Sequence, residues 1–485
     1  MTTSLNSSVK QVSDYELVYI NLLTASLQNP IPLKENLKEL NYYEDIYSST
    51  IYGEIVIYDA TNMISNLRLN GTEFIEFKLM KTRNDKDAIE RTFRIYKIGD
   101  RNLDSAKNQE AFIIYFCSEE LLLSEKYRIS KSYKSYQISD IVNDIFTSYL
   151  KLTPKTISLT RNTKPQTKTY YIDPTIGVYD FILPNKKIFE TIHWLSMYSR
   201  PATMNPGADF LFFENSNGFN FVSLQTLFAQ GAFKSFFYNP QNISIEISDQ
   251  AVNVNHMEVV KFFDVLEGTS QGTFNNRLIT IDPLTRNLLI TDFRYDEYFA
   301  LAQTLNKAPI TTGLPNRWGD TLYQSPSDIR LEVGALRIAA GNNDEKQIFT
   351  DPLKNATVAH DIHIEQYIPN RVAQLGLTNY MKIKIIIPGD SQIYVGMILN
   401  FNTFDLTPTQ LTTQGQYART SDIFYSGNYL VTAVRHIVNN LEYKTIIEMV
   451  KESFGSDSGA YLPAPPNPLS PGFQNAVDGV QNVKS

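Results

Sequence analysis

Five histidines, one cysteine and 51 acidic residues are the side chains that could do chemistry in this 485-residue chain. The histidines are His193, His256, His360, His363 and His436. His360 and His363 form an H-x-x-H pair, which on a helix would set two imidazoles on one side for a zinc ion. Their neighbours, Thr357–Tyr367, read instead as strand or loop, where positions three apart face opposite ways. A zinc site needs three or four converging ligands, and no cysteine or evident carboxylate set completes one. Cys117 ends the apolar run Ala111–Cys117 and reads as a small buried hydrophobe; one cysteine forms no internal disulfide. The phosphate loop G-x-x-x-x-G-K-S/T and the zinc motif H-E-x-x-H are missing, and the one G-x-S-x-G string, Gly268–Gly272, leads towards the expected strand Arg277–Ile290 and not into the helix that a nucleophile elbow needs. Paired glycosidase carboxylates are defined by a separation in space that sequence does not show. The expectation is no catalytic, cofactor-binding or metal residue, no cofactor and no enzyme.

Composition fits a chain that must bury large surfaces. Hydrophobic residues make up 42% and charged residues 20%, ordinary globular values, and the length predicts about three domains. Tyr (29) and Phe (28) far outnumber Trp (2); they suit half-buried pleated surfaces and subunit contacts. The net charge of −7 without a basic block disfavours sequence-specific nucleic-acid binding, which needs clustered Lys and Arg. The N-terminus MTTSLNSSVKQ lacks the apolar core of a signal peptide, and no apolar run approaches the ~20 residues of a spanning helix. The expectation is synthesis in a cytoplasm.

The elements alternate between two periods. Up to about Lys126 the pattern is β: Glu54–Tyr58, Glu73–Met80, Phe93–Ile98 and Ala111–Cys117, with Asn84–Arg91 as a hairpin tip or excursion. Ile138–Leu150 then shows a helical face, with Ser139 as a candidate cap. A second helix is expected from near Asn185 to Arg200, and a hairpin over Asp209–Glu214 and Gly218–Ser223. β character returns at Ile243–Ile247, Asn253–Leu266 and Arg277–Ile290, followed by a helix over Phe293–Leu305 and a loop-rich stretch, 307–358. Met381–Ile387, Val395–Phe401, Asn428–Val438 and Tyr443–Lys451 close the ordered part, the last two as a long hairpin reversing at Asn439-Asn440. The expected fold is α+β, mainly β: two antiparallel β-barrel or sandwich domains around an α+β domain. The expected division is 1–130, 131–240, 241–358, 359–454 and a Pro-rich tail, 455–485, that orders on a partner or stays disordered.

Three stretches carry a resemblance. IYGEIVIYDATNMISNLRLNGTEFIEFKL at 51–79 is followed closely by residues 127–151. GTFNNRLITIDPLTRNLLITDFRYDEYF lies at 272–299. IIPGDSQIYVGMILNF at 386–401 precedes SGNYLVTAVRHIVNNLEYKTIIEMVKESF at 426–454. In this order they resemble the baseplate central hub proteins of contractile-tailed, T-even-like bacteriophages, including cyanophages. The resemblance implies a virion structural protein of the tail baseplate, made in the host cytoplasm. It implies a homotrimer in which two tube-like domains per chain give a pseudo-sixfold ring. That ring would join the tail tube, or its initiator proteins, to a threefold central spike. Wedge proteins would surround it, and the tape-measure protein and DNA would pass through its lumen without specific binding. An acidic lumen wall would keep DNA from sticking. Two other readings are a receptor- or carbohydrate-binding tail protein, served by the Tyr and Phe content, and a tail-associated cell-wall hydrolase, which lacks a catalytic set.

Overall fold

The computed structural model describes residues 15–455, leaving out 25–29, 60–65, 68, 82–87, 105–108, 155–167, 203–208, 239–251, 282–287, 311–326, 334–367, 404–409, 412–416, 419–421, 423 and 440–441. The expected strand Ile243–Ile247, the pair His360 and His363, most of the 307–358 stretch and the tail from 456 lie outside the described residues.

The fold is α+β and mainly β, as expected. The first module contains β1 (Tyr15–Leu23), β2 (Leu37–Asp45), β3 (Tyr52–Asp59), β4 (Phe74–Lys81), β5 (Ile89–Asp104) and β6 (Gln109–Cys117), in the sheet order β2-β3-β6-β5-β4-β1. Alternation places Ile55 and Ile57 of β3, Ile75, Phe77 and Leu79 of β4 and Phe112, Ile114 and Phe116 of β6 in one core. β1 curls back so that the Tyr15 hydroxyl donates to the Asn439 carbonyl at the far end of the chain. Ile89–Arg91, expected in a loop tip, are the start of β5 and pair with Phe77–Leu79.

The chain then enters an α+β module. It holds α1 (Glu119–Lys126), α2 (Ile138–Ser148), β7 (Thr169–Ile172), α3 (Ile188–Ser196) and the hairpin β8 (Phe210–Asn215) with β9 (Gly218–Ser223). α1 was expected as β; the acids Glu119 and Glu120 after Ser118 are the helix-start signal that the β reading passed over. Ser139 is not the cap of α2. Gln137 holds that place, and Thr175 Oγ1 accepts from the Ser139 N–H at 2.9 Å. The second helix begins three residues later than expected, because Asn185 sits at φ 51° and Lys186–Lys187 pair with Arg128–Ile129. The hairpin is buried on both faces. Phe210, Phe212, Phe219 and Phe221 face the helices, while Leu211, Phe213 and Val222 face the next module. A run such as FLFF, without polar alternation, is what a strand covered on both faces carries.

The second β module is assembled from separated pieces: β10 (Lys234–Tyr238), β11 (His256–Lys261), β15 (Met381–Pro388), β16 (Ile398–Thr403), β17 (Gly427–Asn439) and β18 (Tyr443–Lys451). Its order is β11-β15-β18-β17-β16-β10. Between β11 and β15 lies an insertion with β12 (Asn275–Ile281), β13 (Leu288–Arg294) and β14 (Ser327–Val333) and the helices α4 (Val265–Ser270), α5 (Tyr295–Leu301) and α6 (Ile368–Thr378). Three expectations change here. Leu266 lies in α4, started by Asp264, whose side chain accepts from the Glu267 N–H. Phe293 and Arg294 end β13 rather than opening a helix. β14 is a strand inside the expected loop-rich stretch, pairing parallel with β12. α6 had no counterpart in the expectation; Pro369 in its first turn is the signal for it.

The two β modules share one strand order: β1 to β6 correspond to β10, β11, β15, β16, β17 and β18, with one difference in direction, since β1 runs antiparallel to β4 whereas β10 runs parallel to β16. In each, the fifth strand is the long one, hairpinned to the sixth. The modules are also one sheet, because β17 pairs with β2. Gly53 opposes Tyr42 close to that pairing, and a Cβ there would collide with the Asn41 carbonyl oxygen and the Phe116 ring. Gly53→Ala is therefore expected to lower stability by roughly 1–3 kcal/mol. Gly231→Ala, with nothing within 4 Å of the added methyl, is the neutral control. Denaturant midpoints of the two variants check this.

Candidate assembly site

The residues that could act together lie where modules meet. Residues Ala433–Asn439 of β17 run antiparallel to Glu39–Asp45 of β2. On the outer face Arg435 donates through Nε and Nη2 to Asn41 Oδ1 at 3.0 and 2.9 Å and lies over the Tyr43 ring. On the inner face the His436 ring lies between those of Tyr42 and Tyr443, with centroids 5.7 and 5.8 Å away, and its Nδ1 is 2.8 Å from the Tyr443 hydroxyl. Burial pushes the His436 pKa down to about 4, so the ring is neutral at pH 7.

Buried carboxylates bind backbone groups across the junctions. Glu44 of β2 accepts from the Val395 N–H at 3.0 Å and from the Tyr42 hydroxyl at 2.8 Å. The Val395 carbonyl in turn accepts from Asn215 Nδ2 at 3.1 Å, at the tip of the β8–β9 hairpin. Gly396, at φ 87°, turns the chain over the Phe213 ring. Arg91 of β5 donates to the Ser216 carbonyl. Glu214 of β8 accepts from the Ile51 N–H at 3.1 Å, from the Ser118 hydroxyl and from Lys168 at 2.7 Å, and Lys168 also holds Glu120 at 2.7 Å. Glu452 accepts from the Leu305 N–H at 2.6 Å, and Asn306 Nδ2 donates to the Asn428 and Ser453 carbonyls at 3.0 Å each. These bonds satisfy loop backbone that folding has removed from water. Burial pushes Glu44, Asp209 and Glu452 up to about 7.

The chemistry-bearing residues are dispersed. His193, on α3, has Nε2 2.8 Å from Ser49 Oγ, but burial and the Arg371 charge lower its pKa, so a cation rather than an orienting carboxylate faces it. His256 is exposed on β11. Cys117 is buried, its thiol pushed up to about 11 by burial. Among the described residues no three His, Cys, Asp or Glu side chains converge on a metal-sized site. The outer face of the shared sheet is charge-balanced, with Lys382 on Glu448 at 2.9 Å, Lys384 on Glu258 at 3.2 Å and Arg435 near Glu39 at 3.9 Å. The net negative charge is not concentrated there. Near β11 an exposed aromatic group gathers: Phe262 packs on Phe263 and Tyr425, and Phe424 on Phe454, with Phe263 57% and Phe424 56% exposed. Sequence reading missed these latches and this patch. The usable signal was a lone acid in an apolar run, as Glu214 is in FLFFENSNGF.

No protein-family model matches this chain, and no curated protein matches it in sequence. Solved structures similar to it include a tail protein from Neisseria meningitidis, at 8% identity and TM-score 0.47, covering 90% of this chain and 97% of that one. The 43 kDa tail protein of a Shewanella oneidensis prophage is similar at 7% identity and TM-score 0.47, covering 90% and 98%. A type VI secretion component of E. coli, described as structurally similar to T4 tail proteins, is similar at 9% identity and TM-score 0.39, covering 89% and 77%.

The Glu44 latch has a measurable signature. Its folded-state pKa, about 7, lies above the ordinary 4.5, with burial as the leading cause. The folded chain therefore holds this proton more tightly than the unfolded chain. The associated stability is complete below about pH 4.5 and is lost as pH rises through about 7. Glu44→Gln should remove roughly 1–3 kcal/mol of that decline. The check is the difference in unfolding midpoint between wild type and variant across this pH range.

Proposed function

We propose that this chain is a hub subunit of a contractile phage-tail baseplate, a virion structural protein without enzymatic activity. Three copies form a ring of six β modules that joins a sixfold tail tube, or its initiator, to a threefold central spike. The lumen passes the tape-measure protein and DNA, and wedge proteins dock around the ring. The observation that carries this reading is the pair of modules with one strand plan, fused into one sheet within a single chain. A chain that repeats one surface twice presents three copies to a threefold partner and six similar surfaces to a sixfold one. The sequence resemblance over residues 51–79, 127–151, 272–299, 386–401 and 426–454 supports the same reading.

The domain division belongs to this proposal: 1–130 and 359–454 as the two tube-like units, the second completed by β10 and β11. Residues 131–240 are the α+β unit, and 241–358 otherwise supply the insertion. The exposed aromatic patch at Phe263 and Phe424 is a docking point for a neighbouring baseplate component, since aromatic rings dominate contact energetics. Residues 455–485 act as an arm that orders on a neighbour.

Two measurements test this. Cryo-EM of assembled tails should place a trimer of this chain on the tail axis; a peripheral position, or glycan binding by the purified chain, overturns the hub. Deletion of residues 456–485 should lower the yield of assembled tails; an unchanged yield overturns the arm.

A further inference from the structure

The long strands of the two modules carry the same irregularity at the same place. β5 is bulged at Tyr96, between Ile95 and Lys97 in its register with β6; β17 is bulged at Thr432, between Val431 and Ala433 in its register with β18. Before the bulge, each long strand gives its far edge to a strand of its own module. Residues Ile89–Arg94 pair with β4, and Gly427–Leu430 with β16. After the bulge the two differ. β17 gives its edge to β2. Along Lys97–Asp104 of β5 no strand lies on that edge among the described residues. The counterpart of β2 in the second module is β11, which among the described residues pairs only with β15 and ends the sheet. The consequence shows in burial. Tyr42 of β2 is 1% exposed, whereas its counterpart Val259 of β11 is 40% exposed, and the bulged Val260 beside it is 49% exposed. Unpaired strand edges with exposed apolar side chains are templates for another strand.

We propose that Lys97–Asp104 of one copy pairs antiparallel with His256–Lys261 of a second copy, repeating between chains the β17–β2 seam found within each chain. The register follows from the ladders. Aligning the bulges puts Gly99 in the place of Arg435 and Asn102 in that of Ile437, with one extra residue at Asp100–Arg101. Partner positions on β3 and β15 put Lys261 in the place of Tyr43 and Glu258 in that of Asn41. Arg435 faces Tyr43 and Ile437 faces Asn41 within the chain. Across copies, Gly99 therefore faces Lys261 and Asn102 faces Glu258. The contact is head-to-tail, so it closes into a ring or extends as a filament. It deepens the ring reading by naming its seam, and three-copy closure is the part that rests on that reading.

The test uses the full chain with Asn102→Cys and Glu258→Cys, both at exposed positions, and with Cys117 left in its buried place. Facing strand positions are close enough for a disulfide. Mixing the two single variants and oxidising should give a covalent dimer, and neither variant alone should. The double variant should give a ladder that stops at three copies. A ladder continuing past three keeps the seam and overturns the ring. No cross-link from the mixture, or from a second pair, Gly99→Cys with Lys261→Cys, in a chain that sediments as an oligomer overturns the seam and leaves the ring standing. A chain that stays monomeric at every concentration overturns both.

Discussion

The edge of β17 is divided at Thr432, and the architecture depends on that division. Its first residues, Gly427–Leu430, complete the second β module against β16, and its last, Ala433–Asn439, complete the first against β2. A bulge supplies the local twist that lets one strand serve two sheets bent towards different cores. The side chains follow the change. Tyr429, Leu430, Val431 and Val434 belong to one core and Val438 and Tyr443 to the other, where the His436 ring lies between Tyr42 and Tyr443. Because Gly427–Leu430 are laddered to β16 and Ala433–Asn439 to β2, a single strand ties the two modules together.

The polar latches add a second constraint. Glu44, Glu214 and Glu452 each meet backbone N–H groups of another module or of the insertion, where loops pass through interior space. A buried carboxylate is costly unless paired, and here the pairing specifies which loop meets which strand.

Much of the local structure was legible. Alternation located β3, β4, β6, β15 and the β17–β18 hairpin, and the 3.6-residue face located α2. The misses have different reasons: α1, α4 and α6 rest on a few acids, an Asp cap and a proline, whereas β14 alternates Ile329, Leu331 and Val333 with Asp328, Arg330 and Glu332 and was passed over because prolines and glycines dominate the stretch around it. The latches were invisible because a glutamate on a strand looks alike whether it faces water or the backbone of a distant loop.

The amino-acid sequence by itself determined that this is a β-rich chain with a helical interlude and no recognisable catalytic set, since periodicity and motif chemistry are local properties. Only the tertiary structure decided that the modules repeat one plan and share one sheet. Their equivalence lies in which backbone edge is paired and where the bulge falls. Backbone hydrogen bonds carry no side-chain identity, so positions as unlike as Tyr43 and Lys261, or Arg435 and Gly99, hold the same place in the fold.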